Sequence, residues 1–188
     1  PIAANNSSKT ALTWGKYLFP MSQYYNIWDT GINTVLFRYA EVLLCYAEAE
    51  NELNGPSDDV YDKLNLIRNR VGMPHVDVAK YNTQDKLREL IRRERSIEMA
   101  GEGLRRADIL RWRDAAGKML AETLLNGDLL RPMGTIDYAE ANPYKRAVVN
   151  PNRKVLIEPR SFAPYNRYLP IPQKYRDLND KLEQNEGY

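Results

Sequence analysis

The stretch ERSIEMAGEGLRRADILRW (Glu94 to Trp112) sets Glu94, Glu98, Glu102 and Asp108 beside Arg95, Arg105, Arg106 and Arg111, with Arg113 just past it. Paired carboxylates are the equipment of glycoside hydrolysis, one protonating the leaving oxygen while the other serves as base or nucleophile. Glu94 and Glu98 stand one helical turn apart and meet that first requirement. Counting by threes and fours from Leu87, Leu90 and Ile91 also reaches Glu94 and then Glu98, so both extend an apolar stripe. A carboxylate on a core face must be paired, hydrogen-bonded or protonated. Acid–base catalysis needs two carboxylates in different environments. Here arginines outnumber the acids, and a carboxylate held by arginine has a lowered pKa and makes a poor general acid. The stretch therefore reads as a structural ion network with no catalytic residue. Glu94 and Glu98 are expected to reach across the Gly101 to Gly103 turn to Arg105 and Arg111. Asp108 is expected to pair with Arg105 or Arg111 at helical spacing.

Other reactive residue types are sparse. One cysteine, Cys45, excludes an internal disulfide and a four-cysteine metal site; its apolar helical run predicts an inert, buried thiol. One histidine, His75, has no second His or Cys near it and makes a poor ligand set. A net charge of +2, from 27 basic and 25 acidic residues mixed along the chain, leaves no broad basic footprint for nucleic acid. No run approaches the roughly 20 apolar residues of a membrane helix. The chain opens at Pro1 without a signal peptide, so any targeting signal is expected upstream.

These residues need elements to position them. Residues 1–33 read as irregular and rich in rings. From Val35 to about Leu53 one apolar stripe (Leu36, Ala40, Leu43, Ala47) runs beside another (Tyr39, Val42, Tyr46, Ala49), which predicts a helix sandwiched between neighbours. Asn54-Gly55-Pro56 stops it. Ser57 is the expected N-cap of a second helix with Val60, Leu64, Ile67 and Val71 on one face. Thr83 caps a third helix, about Gln84 to Ala100, and Leu104 to about Leu125 supplies a fourth, with a break near Gly117. The second helical hairpin begins about 48 residues after the first, against about 34 for a tetratricopeptide repeat. The fold class is thus mainly α, with tetratricopeptide-like hairpins in an alpha-alpha superhelix. Beyond Asn126 the chain turns loop-rich, with a short β-hairpin expected between Arg146–Val149 and Lys154–Ile157, and Tyr168-Leu169-Pro170-Ile171-Pro172 extended.

Five ordered motifs, RYAEVLLCYAEAENE (Arg38 to Glu52), LNLIRNRVGMP (Leu64 to Pro74), the Glu94 to Trp112 stretch, YLPIP and QNEGY, resemble the C-terminal region of the SusD/RagB-like nutrient-binding lipoproteins. The chain departs from that pattern at Arg106 and Ala107, where the family usually has an aromatic pair, at Gly101, and at Glu186. The resemblance implies that residues 1–188 are the C-terminal part of such a domain, divided into 1–33, the hairpins of 34–125, and 126–188 with the native C-terminus, and that an N-terminal portion is absent. It further implies a lipid-anchored protein on the outer face of the bacterial outer membrane. Such a protein captures glycans or other nutrients and closes over a SusC-like TonB-dependent transporter. It implies no catalysis and no obligatory cofactor, although some relatives bind a structural calcium ion. It implies contact with the membrane only through the absent N-terminal anchor, and the mixed charge of the chain leaves no nucleic-acid partner expected.

The family's binding loops vary, so ligand contacts must come from residue chemistry. The chain has 13 Tyr and 3 Trp against 3 Phe, rings that offer an apolar face beside a polar edge. Sugars stack on such faces while Asn and Asp hold their hydroxyls. Trp14, Tyr17, Tyr24, Tyr25 and Trp28 are the expected stacking residues, with Asn26 and Asp29 at the edge, whereas Trp112, Tyr165 and Tyr168 are expected in the core. A tetratricopeptide-like module binding proteins or peptides, and after it a glycoside hydrolase, are the competing functions.

Overall fold

Side-chain oxygens start two of the three long helices, and a left-handed glycine ends the other. The structure, a computed structural model, describes residues 15–17, 31–142 and 145–188, which fall into two compact units, Gly15–Arg105 and Arg106–Tyr188. In the first unit, α1 (Tyr39–Asn54) stops where Gly55 takes φ 79° and its N–H returns to the Asn51 carbonyl at 3.0 Å. Helix α2 (Asp58–Arg70) begins with the Ser57 hydroxyl accepting from the Val60 N–H, with Asp58 and Asp59 placed against the helix dipole. Helix α3 (Gln84–Glu98) begins in the same way, with Thr83 accepting from the Lys86 N–H.

One core holds the three helices together. Leu43, Leu44 and Ala47 of α1 meet Val60, Leu64 and Ile67 of α2 and Leu87, Leu90 and Ile91 of α3, all buried. Each large aliphatic side chain taken from water contributes about 1.5–3 kcal/mol. The helix pair α1–α2 is the tetratricopeptide-like hairpin. Helix α3 runs antiparallel to α1 and is fastened to it at both ends. Asn51 donates to the Gln84 carbonyl at 3.1 Å while the Gln84 amide donates to the Asn51 carbonyl at 2.7 Å. At the opposite end Arg38, one residue ahead of α1, grips Glu98 at the close of α3.

The periodic reading needs three corrections in α1 and one in α2: the helix begins at Tyr39 rather than Val35, so Leu36 lies ahead of it and is exposed. The stripe Tyr39, Val42, Tyr46 and Ala49 is exposed, because α2 and α3 both pack on the other stripe. Cys45 lies on that open side and is exposed, not buried. Val71 falls beyond the last turn of α2 and is also exposed.

The expected fourth helix over 104–125 exists as two short ones, α4 (Arg105–Arg111) and α5 (Leu120–Leu124). Asp114 causes the break: its carboxylate accepts from the Ala116 and Lys118 N–H groups, each at 2.9 Å, and so competes with helical bonding. Gly117, at φ 79°, completes the turn. Ile109, Trp112, Met119, Ala121 and Phe162 form the buried centre of this second unit.

The hairpin differs in its arms. Both segments expected to pair with each other lie in one strand, β2 (Ala147–Arg160), whose antiparallel partner is β1 (Gly127–Ile136). Pro132 and Gly134 disguise β1 as a loop. The register shifts between Pro132 and Met133, where Pro132 stands opposite Lys154 and Met133 opposite Asn150, so residues 151–153 bulge from the ladder. Gly134 is obligatory: a Cβ there would lie 2.2 Å from the Val148 carbonyl oxygen. A short 3-10 turn (Pro164–Arg167) and α6 (Gln173–Arg176) complete the described elements, with the proline-bounded segment between them extended.

Candidate functional site

The last carbonyls of a helix have no partner within it and carry the negative end of its dipole. At the close of α3 two cations answer them. Lys16 Nζ donates to the Glu98 carbonyl at 2.7 Å and to the Ala100 carbonyl at 3.3 Å, and Arg38 Nη2 donates to the Glu98 carbonyl at 2.8 Å. Gly101 and Gly103, at φ 80° and 79°, then turn the chain back so that Glu102 returns over the helix end.

Carboxylates complete the cluster. Arg38 Nε reaches both Glu102 carboxylate oxygens at 3.0 Å, and its Nη2 reaches Glu102 Oε1 at 2.7 Å. Lys16 forms an ion pair with the same Glu102 oxygen. The Glu98 carboxylate accepts from Arg38 Nη1 at 2.7 Å and from Arg70 Nη2 at 2.7 and 2.8 Å. One turn earlier the buried Glu94 pairs with Arg68, whose Nε also holds the Pro74 carbonyl at 2.6 Å. Burial alone would raise the Glu102 pKa, but the hydrogen bonds from Arg38 and Lys16 outweigh it and hold this carboxyl at about 2. Arg38 is correspondingly pushed above the ordinary arginine value by its hydrogen bonds to Glu102 and Glu98.

The network is therefore real but differently wired. Glu94 and Glu98 take Arg68, Arg38 and Arg70 rather than Arg105 and Arg111. Those partners come from the ends of α1 and α2, which packing brings to the close of α3. Arg105 donates to the Ser96 hydroxyl. Asp108, buried, accepts from Arg111 Nη2 at 3.0 Å, and Arg111 lies over the Trp112 ring at 5.1 Å. Lys16, Arg38, Arg68 and Arg70 were missed by reading only local spacing. The available signal was Arg38 itself, a lone cation between Leu36 and Ala40 in an apolar run.

Chemically, this arrangement is a clasp. A general acid must carry a proton near neutral pH, and Glu102 held at about 2 does not. Among the described residues no group of three or more His, Cys, Asp or Glu comes together as a metal site requires. The carboxylates Glu94, Glu98 and Glu102 already face guanidinium or ammonium groups, a donor set unsuited to calcium.

Beside the clasp lies an open cavity of about 440 Å³, with Tyr17, Asn33, Thr34, Glu41 and Glu102 in its wall. Tyr17 is exposed at its mouth in a left-handed conformation (φ 58°), with Lys16 Nζ 5.4 Å from its ring centre. Of the expected ligand contacts Tyr17 alone falls among the described residues; Trp14, Tyr24, Tyr25, Asn26, Trp28 and Asp29 lie outside them. Trp112 is buried as expected, but Tyr165 and Tyr168 are about half exposed.

The sequence profile of the SusD family matches residues 3–188. The chain is 32% identical over 161 residues to the SusD-like protein P25 of Formosa agariphila, covering 83% of this chain and 25% of that protein. It is 38% identical over 124 residues to the SusD-like protein P38 of the same organism, covering 63% and 24%. It thus spans about a quarter of the length of the curated relatives it matches. Among solved structures, a SusD-like protein from Bacteroides fragilis superposes with a TM-score of 0.58 at 28% identity, over 80% of this chain and 25% of the other. The protein BT4246 superposes with a TM-score of 0.64 at 22% identity, over 85% and 25%, a likeness of fold.

Proposed function

This chain belongs to the SusD family, and from that membership we propose that it is part of a cell-surface protein that captures nutrients, glycans above all, and passes them to a SusC-like TonB-dependent transporter. The observation that supports capture over catalysis is the saturation of the acidic cluster. Arg38 and Lys16 hold Glu102, whose carboxyl at about 2 has no proton to give near neutral pH, and Arg38 and Arg70 occupy Glu98. The chemistry available to a sugar is then the ring-rich segment around Trp14, Tyr17, Tyr24, Tyr25 and Trp28, with Asn26 and Asp29 for its hydroxyls. Tyr17, at the mouth of the cavity, supports placing that surface next to the clasp. In this reading the protein is held at the outer membrane by a lipid anchor. No helix among the described residues is long and apolar enough to cross a membrane.

The test is a titration of polysaccharides and their oligosaccharides into the full-length protein, its Trp14→Ala, Tyr17→Ala and Trp28→Ala variants, and a preparation with its SusC-like partner. Micromolar to millimolar binding that weakens by roughly tenfold on loss of a stacking ring is expected. Unchanged affinity in all three variants rejects the assignment of the surface. Turnover of any polysaccharide rejects the assignment of the function.

A further inference from the structure

Most cations of the helical unit are committed. Lys63 holds Asp59, Arg68 holds Glu94, Arg70 holds Glu98 and Arg88 holds Glu52. Lys80, Lys86 and Arg93 are different: among the described residues none of them forms an ion pair, and all three line one open groove of about 540 Å³ with Tyr81, Leu90 and the single carboxylate Glu89. The α3 residues Lys86, Glu89, Leu90 and Arg93 follow one another at three and four, and so share one face of the helix. Leu90 is buried beneath the groove and anchors this face of α3 to the core.

The opposite wall is preorganised. The Lys80 and Tyr81 N–H groups both return to the Asp77 carbonyl, at 3.2 and 3.0 Å, and the Tyr81 carbonyl accepts from the Tyr61 hydroxyl at 2.8 Å. Tyr81 therefore stands on a fixed turn, packed against the core. Lys80 Nζ lies 5.3 Å from its ring centre and Arg93 Nη2 donates to its hydroxyl at 3.1 Å. The hydrogen bond from Arg93, reinforced by Lys80, brings that hydroxyl below the ordinary tyrosine pKa, the sign of a positive local potential.

We propose that this groove is a subsite for an anionic sugar unit, whose oxyanion is held by Lys86, Arg93 and Lys80 while its apolar face rests on Tyr81. The proposal rests on the glycan-capture reading and narrows it to acidic glycans. Guanidinium and ammonium groups bind carboxylate and sulfate oxygens through charge-assisted hydrogen bonds, roughly twice as strong as neutral ones. An aromatic wall beside them orients the ring. Uronate carboxylates and sulfate esters share this chemistry, and the experiment separates them.

Trigalacturonate, a 4-sulfated carrabiose and uncharged galactotriose are titrated at low salt into the full-length protein, its Lys86→Gln/Arg93→Gln double variant and its Tyr81→Phe variant. At least one anionic probe is expected to bind about tenfold or more tightly than galactotriose. That advantage is expected to vanish in the double variant, shrink in Tyr81→Phe and fall as salt is raised. Which anionic probe responds identifies the carboxylate or the sulfate source. Since all three cations are exposed, the variants are expected to melt with the wild type. If galactotriose binds as tightly as both anions, or the double variant keeps wild-type anion affinity, the subsite is overturned while glycan capture stands. If none of the three probes binds and no polysaccharide does, glycan capture falls and the subsite with it.

Discussion

Gln184 uses both ends of its side-chain amide on the backbone of Ile171, its oxygen accepting from the Ile171 N–H at 2.8 Å and its nitrogen donating to the Ile171 carbonyl at 3.1 Å. Ile171 sits between Pro170 and Pro172, which have no N–H and exclude a regular ladder. An amide is the neutral side chain that offers donor and acceptor at that spacing. Asn185 continues the pattern by donating to the Leu169 carbonyl at 2.7 Å, and the Tyr188 hydroxyl donates to the Tyr168 carbonyl at 2.9 Å. The two motifs YLPIP and QNEGY are thus two halves of one contact.

Gln184→Leu is accordingly expected to cost about 1–3 kcal/mol, since it leaves the partly buried Ile171 groups without their partner. Limited proteolysis followed by mass spectrometry of the C-terminal peptide should show earlier cleavage after Tyr168. Wild-type resistance would disprove the latch.

Gly134→Ala is expected to disrupt the β1–β2 pairing. The new Cβ would meet backbone, the Val148 carbonyl oxygen at 2.2 Å, which no rotamer change relieves. A loss of at least about 2 kcal/mol should appear in chemical denaturation, with hydrogen exchange accelerated at residues 130–136 and 147–156. Glycine-like exchange rates in the variant would place the strands in another register.

The clasp predicts a specific acid response. The Glu102 carboxyl lies at about 2 in the folded chain against an ordinary 4.5, so the unfolded chain takes up the proton first. Its contribution is complete above about 4.5 and lost as the pH falls toward 2; for a carboxylate this enclosed it is on the order of 2–3 kcal/mol. Unfolding free energies measured from pH 6 to pH 3 should fall more steeply for the wild type than for Glu102→Gln. Parallel curves would contradict the assignment.

How much of this was readable beforehand depended on the range of each interaction. Ser57 and Thr83 act within three residues of themselves, and both helix starts followed from residue type alone. The burial of Glu94 followed from counting along one helix. Its partner did not, because Arg68 is 26 residues away and Arg38 lies 64 residues from Glu102, distances at which spacing carries no information. Reasoning from local pairs therefore favoured Arg105 and Arg111. Strand β1 was hidden for another reason: Pro132 and Gly134 mark loops in isolation, yet one sits where the register shifts and the other where two backbones nearly touch. The exposed stripe of α1 shows that periodicity reports which residues are apolar, not which of two apolar faces finds a neighbour. For the candidate site, the ring-rich segment had only composition to recommend it, and Tyr17 is the one member whose surroundings are described.

Glu98→Ala tests most directly whether the Glu94 to Trp112 stretch locks the fold while the proposed ligand capture happens elsewhere. Glu98 joins Arg38 to Arg70 with its carboxylate largely enclosed, so truncation leaves two cations without their shared acceptor, at a cost of about 3 kcal/mol. Melting and glycan titration are measured on the same preparation of the full-length protein, the titration well below the transition. A lowered Tm with wild-type glycan affinity is the predicted result. An unchanged Tm with binding or turnover abolished would contradict the account.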